Sequence, residues 1–220
     1  MPDKARTFVE RTPDAKFKAI ANISVNAALS KMDSTSYPLV DLFCEDREAK
    51  KIIDKAISSI QSTMKLNNFV DLVNIIVSGS DTTTYSYFKA HQATYSSKRI
   101  KTGCACVLDG DRKSLKSKNG DPLYTPETGL HFLYSNDSPE KFLVSEYITA
   151  VPNETMSYHL SSSNVHALFE KMVENSLAAT RNEAFDLCWN HFLTTSHGKE
   201  YFEELKAFLL DMVKQYSPDL

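Results

Sequence analysis

Gly103-Cys104-Ala105-Cys106-Val107-Leu108-Asp109-Gly110-Asp111 joins a short apolar run to two acids around a glycine. The run suits a strand buried on both faces, and the alternate spacing of Cys104 and Cys106 sends both thiols to the same side of it. Gly110 allows a tight backbone path, so Asp109 and Asp111 can aim at one point. Upstream, Leu39-Val40-Asp41-Leu42-Phe43-Cys44 is a second run of this kind, followed at once by Glu45-Asp46. Ligands of an open parallel sheet bind beyond the carboxyl ends of its strands, which is where both acidic pairs fall. Three or four carboxylates meeting there would repel one another. Unit charges ~4 Å apart cost about 4 kcal/mol at an effective dielectric of 20, and divalent cations remove that cost. Oxygen ligands without His or Cys favour Mg²⁺ or Mn²⁺ over Zn²⁺. Either pair alone reads as a turn, since Asp-Gly-Asp is a common turn former. Both together, each after a buried strand, read as a cation site.

Working outward, the pattern alternates strand with helix. Ala49, Ile52, Ile53, Ala56, Ile57 and Ile60 recur at helical spacing, which predicts an amphipathic helix to about Lys65, with the Glu45-Asp46 charge at its start. Phe69 to Val77 reads as a second strand ended by Ser78-Gly79-Ser80, and Thr83 to about Ser96 as a helix. Residues 112–128 are a polar, basic loop or insertion. Leu130 to Tyr134 is a fourth short strand, and Pro139-Glu140 opens a helix through Tyr147. The last third is helical over about Ser163–Ala178, Asn182–Leu193 and Lys199–Tyr216. Before the first buried strand, residues 6–23 read as a hairpin turning at Thr12-Pro13-Asp14, then a short helix over Asn26–Met32. The expected fold is α/β: a mostly parallel central sheet flanked by helices, with a helical C-terminal part and an N-terminal β-hairpin. The domain reading is a hairpin and linker at 1–36, the core at 37–150, and a helical extension at 151–220.

Composition narrows the class. The 220 residues hold only 6 Gly and 8 Pro but 12 Phe and 10 Tyr, which excludes a collagenous or low-complexity chain. No apolar run approaches the ~18 residues of a membrane helix, and Met1-Pro2-Asp3-Lys4 opens no signal peptide. Cys44, Cys104, Cys106 and Cys188 read as buried thiols rather than a metal set, because no second Cys/His cluster completes a tetrahedron. A reduced, cytoplasmic protein without membrane contact is expected. The net charge of −3 argues against a broad embrace of DNA. Nucleic acid would have to be bound weakly, through a local patch, or with help from a partner or bridging ions. One basic segment exists: Lys98, Arg99 and Lys101, then Arg112, Lys113, Lys116 and Lys118. The six histidines show no metal spacing and read as surface or helix-terminal residues. Trp189 with Phe185 and Phe192 reads as helical core, and the stripe Phe202, Leu205, Phe208, Leu209, Met212 as intramolecular packing or a homodimer face.

An apolar strand ending in Glu45, a helix, a second strand and helix, then a strand ending in Asp109-Gly110-Asp111, resembles the Toprim fold of topoisomerases, primases and OLD-type nucleases. Within it, Ala49, where many members carry a second acid, and the segment Leu130-His131-Phe132-Leu133 then Ser138-Pro139-Glu140 resemble the branch attached to AAA-type ATPases. The resemblance covers about residues 37–147. It implies a Mg²⁺- or Mn²⁺-dependent nuclease acting on DNA, with RNA as the other substrate, in which Glu45, Asp109, Asp111 and Glu140 hold one or two ions. Glu45 would be a ligand or a general acid/base. Lys199, in Gly198-Lys199-Glu200, matches a C-terminal lysine of OLD-type members and would neutralise charge on the phosphate. Arg112, Lys113, Lys116 and Lys118 would face nucleic acid. The chain contains no Gly-x-x-x-x-Gly-Lys-Ser/Thr, so the ATPase such nucleases work with would be a separate subunit or another part of a longer protein. The opening hairpin, Arg6 to Ile20, resembles the tail that leads out of such an ATPase, and the family implies defence against phage or other foreign DNA.

Two other readings use the same residues. Val107-Leu108-Asp109-Gly110-Asp111 is similar to the nucleophile strand of haloacid-dehalogenase phosphatases, although Lys113 stands where Thr or Val is usual. Cys44-Glu45-Asp46 is similar to the acidic pair of receiver domains, whose phosphoacceptor would come sooner than Asp109. A Toprim-like domain lacking an acid at Ala49 could also serve as a scaffold or dimerisation module.

Overall fold

The computed structural model describes residues 7–11, 16–21, 38–64, 69–98, 102–162 and 164–216, with isolated positions between 23 and 32. An antiparallel hairpin comes first: β1 (Thr7–Arg11) pairs with β2 (Phe17–Ala21), Phe8 opposite Ile20. Its expected turn at Thr12-Pro13-Asp14 and most of the expected Asn26–Met32 helix lie outside the described residues.

The core is a parallel sheet of four strands, β3 (Val40–Cys44), β4 (Val73–Val77), β5 (Gly103–Leu108) and β6 (Leu130–Phe132), in the order β4-β3-β5-β6. Between them run α1 (Arg47–Met64), the single turn α2 (Phe69–Leu72) and α3 (Asp81–Thr94). Alternation along the strands decides which face each residue serves. Val40, Leu42, Cys44, Ala105 and Val107 pack toward the larger core with Ile53 and Ile57 of α1. Phe43, Cys104, Cys106 and Leu108 pack on the other face against Phe88 of α3. Cys104 and Cys106 therefore share a face, and all four cysteines are free and buried. Burial pushes the Cys104 thiol up to about 11.

The helical part follows: α4 (Pro139–Ala150), α5 (Glu154–Ser162), α6 (Leu168–Glu174), α7 (Arg181–Phe192) and α8 (Ser196–Tyr216). Trp189 of α7 is almost wholly buried, its ring 6.2 Å from and parallel to that of Phe185. The stripe on α8 also turns inward, with Leu205 and Leu209 fully buried in the larger core. Among the described residues, no helix is long and apolar enough to cross a membrane.

The structure differs from the sequence reading in three stretches, one being the helix read over about Ser163–Ala178, which is a 3₁₀ turn at Val165–Ala167 followed by α6 alone. Phe69–Leu72 is a helical turn that buries Phe69 in the larger core, and the strand begins only at Val73, opposite Val40. Helix α5 was not expected, its serines and threonine being poor helix formers. Asn153 starts it, accepting at Oδ1 from the Met156 backbone N–H at 3.0 Å, and Met156 is fully buried.

Candidate metal centre

Strands β3 and β5 are neighbours, paired from Val40↔Gly103 to Cys44↔Val107. The chain leaves β3 for β4 on one side and passes to β5 on the other. The boundary between β3 and β5 is thus where strand order reverses, the place where open α/β sheets leave a crevice at their carboxyl ends. Glu45 and Asp109 are the residues that emerge there. Glu45 Oε1 accepts a hydrogen bond from the Asp109 backbone N–H at 2.7 Å, carrying the β3–β5 ladder one step past the last strand pair. On the opposite side, Gly79 N–H donates to the Glu45 carbonyl at 2.8 Å. The Glu45 main chain is held by one neighbour and its carboxylate by the other.

Two groups of acids meet at this edge. In the first, Arg112 stands among carboxylates: its Nε is 3.5 Å from Glu45 Oε2 and 3.2 Å from Asp111 Oδ1, and its Nη1 is 3.9 Å from Asp81 Oδ2. In the second, Glu140, from the first turn of α4 and only 1% exposed, places Oε1 3.0 Å from His166 Nδ1. Asp46, Glu140 and His166 each bring a ligand atom to within 4.8 Å of the others. Asp46 also caps α1, its Oδ1 accepting from the Ala49 N–H at 2.8 Å.

Asp109 feels the charge of both groups. It is 3% exposed, and its carboxyl is pushed up to about 9, first by burial, then by the charges of Glu45, Asp46, Glu140 and Asp111. Burial likewise pushes Glu45 up to about 7, against the pull of the Asp109 N–H and Arg112. Asp46 and Glu140 are raised as well, again chiefly by burial. The hydrogen bond to Glu140 raises His166. Asp109 Oδ1, Asp111 Oδ1 and Glu140 Oε2 are buried and, among the described residues, accept no hydrogen bond. Buried acceptors without partners cost about 1–3 kcal/mol each, and several buried carboxylates with one nearby guanidinium are short of positive charge. Oxygen-rich ligands with one imidazole fit Mg²⁺ or Mn²⁺.

Of the residues singled out from the sequence, Glu45, Asp109 and Asp111 lie on the first side and Glu140 on the second, and among the described residues only Asp46, Glu140 and His166 bring three ligand atoms within 4.8 Å of one another. Arg112 is turned into the first side as well. Lys113, Lys116 and Lys118 are exposed on the segment after β5. Lys199 is exposed in the first turn of α8, and among the described residues no hydrogen bond or ion pair ties it to the acids. Asp46 and His166 were not read as a pair. His166 lies 26 residues beyond Glu140, a separation that carries no ligand signature. Ala49 is fully buried in the apolar core, and Asp46 supplies the carboxylate beside it.

Gly110 matters for a different reason than turn freedom. A Cβ there would lie 2.2 Å from the Ser135 carbonyl oxygen and 2.6 Å from that of Tyr134. Gly110→Ala is therefore expected to cost about 1–3 kcal/mol, the ordinary range for overpacking, and to lower the denaturant midpoint at unchanged m-value. An alanine variant as stable as the parent would show that the loop after β6 yields freely.

An α/β domain with a carboxylate cluster at its topological switch point is thus the class that fold and site define. No protein-family model matches the chain, and no curated protein does. Among solved structures it is similar to the C-terminal region of the Burkholderia pseudomallei OLD protein, with 12% identity and a TM-score of 0.43 over 80% of this chain and 99% of that one.

Proposed function

We propose that the chain is a metal-dependent nuclease that hydrolyses phosphodiester bonds in DNA, using one or two Mg²⁺ or Mn²⁺ ions. The observation that supports this is Asp109, a buried carboxylate with an oxygen that has no hydrogen-bond partner among the described residues, close enough to Glu45, Asp46, Glu140 and Asp111 to feel their charge. Glu45, Asp109 and Asp111 would hold one ion, and Asp46, Glu140 and His166 with Asp109 the other. Bound divalent ions supply an acidified water and offset charge on the phosphate and its leaving oxygen. Glu45, with a pKa near neutrality in the ion-free protein, suits the transfer of a proton to or from that water. Arg112 keeps the Glu45 and Asp111 side from carrying its full negative charge. Lys113, Lys116 and Lys118 would steer the strand, and Lys199 would reach the phosphate only if substrate binding brings α8's first turn to it. The Toprim resemblance extends this reading to an ATPase module, in the same polypeptide or a separate subunit, and to defence against foreign DNA in the cytoplasm.

The test is supercoiled plasmid incubated with the full chain in Mg²⁺, in Mn²⁺ and in EDTA, beside calorimetric titration with MnCl₂. Nicking in the metal samples alone, with saturable Mn²⁺ uptake, is expected. Intact plasmid throughout and no saturable uptake would overturn the nuclease reading and favour the scaffold, a reading that rests on Ala49. Uptake without nicking would place hydrolysis under control of the ATPase module, which adding that module would then have to restore.

A further inference from the structure

Beside the acid network, on the β6 side, lies a cleft of about 520 Å³ whose walls include Lys113, His131, Phe132, Tyr134, Tyr201 and Glu204. Its size falls within the range of small-molecule sites. Its position is tied to the acids through Gly110, whose backbone rests on the carbonyls of Tyr134 and Ser135, the loop that forms one wall. Ser135 holds this loop in the left-handed region, at φ 75°.

Flat rings line the cleft. The His131 ring is nearly parallel to those of Phe208, at 4.9 Å, and Tyr201, at 6.3 Å. The imidazole Nε2 of His131 and the hydroxyl of Tyr201 are buried here without a hydrogen-bond partner among the described residues. Tyr201 is only 4% exposed. Lys113 and Glu204 stand among the lining residues, one cation and one anion, so the cleft has no strong preference for an ionic ligand. Aromatic faces, unsatisfied neutral donor and acceptor groups, and room for a mononucleotide together describe a seat for a flat, hydrogen-bonding heterocycle.

We propose that this cleft is a nucleobase pocket, taking one unstacked base of a nucleic-acid strand while the adjoining phosphate lies at the acid network. The pocket rests on the nuclease reading for its role and implies a substrate that is single-stranded or locally opened, since a paired base cannot reach a side pocket. Base–aromatic stacking then supplies affinity that the chain's negative net charge does not.

The experiment is fluorescence anisotropy of a labelled pentathymidylate and of a sugar–phosphate pentamer without bases, in EDTA so that neither is cut. The wild-type chain is expected to bind the base-bearing oligomer at least ~10-fold more tightly. Tyr201→Phe, which keeps the ring, is expected to narrow that gap ~5-fold with a melting midpoint no lower than that of the wild type. Equal binding of the two oligomers by the wild type overturns the pocket, as does an unchanged gap in Tyr201→Phe. If Tyr201→Phe melts lower, His131→Gln replaces it, and an unchanged gap there overturns the pocket in the same way. A gap that persists in a chain that neither takes up Mn²⁺ nor cuts any plasmid leaves the pocket standing and removes the nuclease reading.

Discussion

Asp109→Asn is expected to abolish metal-dependent nicking and, in the same protein, to raise the melting midpoint measured in EDTA. On the proposed reading the loss follows because Asp109 is a ligand shared by both ions. Removing that much charge stabilisation should lower the rate by on the order of 10³-fold or more. The gain in stability follows from its surroundings. A carboxyl with a pKa raised to about 9 from an ordinary 3.8 is one whose charge the fold opposes. Asparagine has the same outline and brings no charge, so the variant should gain about 1–3 kcal/mol. At roughly 2–4 °C per kcal/mol for a chain of this size, that is several degrees by calorimetry. Asp111→Asn is the control: its carboxylate is only half-buried and lies 3.2 Å from the Arg112 guanidinium, so its stability should rise less or fall. A lower midpoint in Asp109→Asn would mean that the carboxylate makes a net favourable contact, and the account of the network given above would fail.

The ion-free and ion-bound proteins should also part company with pH. Asp109 and Glu45 have folded pKa values raised to about 9 and about 7, above ordinary values of 3.8 and 4.5. Between those limits the folded ion-free state holds more protons than the unfolded chain. Stability in EDTA therefore increases as pH falls and is lost as pH rises through 7 towards 9. Ligands must shed their protons to bind a cation, so Mn²⁺ should stabilise little near pH 5.5 and most near pH 8. At a thousand times its dissociation constant the ion contributes about 4 kcal/mol, again readable as a midpoint shift. His131 acts in the opposite sense, since burial lowers it to about 4 and the folded state resists its protonation. It does so with or without the ion, so it cancels in the difference between paired samples. A Mn²⁺ shift that is flat from pH 5.5 to 8 would separate ion binding from these carboxylates.

The order of strands and helices through Pro139 was legible because each core strand is a short apolar run closed by charge or glycine, and α1 writes its buried face at helical spacing. Glu45 and Asp109 were legible for the same reason: they follow directly on runs whose direction and partners are fixed by burial. Helix α5 was not, because its serines and threonine carry little propensity and its start depends on one asparagine cap. The partnership of Asp46, Glu140 and His166 was not legible either. It is made by α4 and the turn before α6 folding back over the start of α1, a juxtaposition with no periodicity in the chain. Arg112 read as one cation of a basic segment, yet ion pairs with Glu45, Asp81 and Asp111 turn it inward. The cleft beside β6 draws on residues as far apart as Lys113, His131 and Tyr201, and only the packing of α8 on the sheet edge assembles it.

The hydrogen bond from Asp109 N–H to Glu45 Oε1 has an engineering consequence. It makes the spacing of the two acids a property of the sheet lattice itself, independent of how any surface excursion is shaped. Grafting a different segment in place of residues 113–128, which keeps Arg112, or reshaping the wall that α8 contributes, should leave that spacing alone. Selectivity and reactivity can then be altered on separate parts of the polypeptide, which makes the scaffold a practical starting point for retargeted variants.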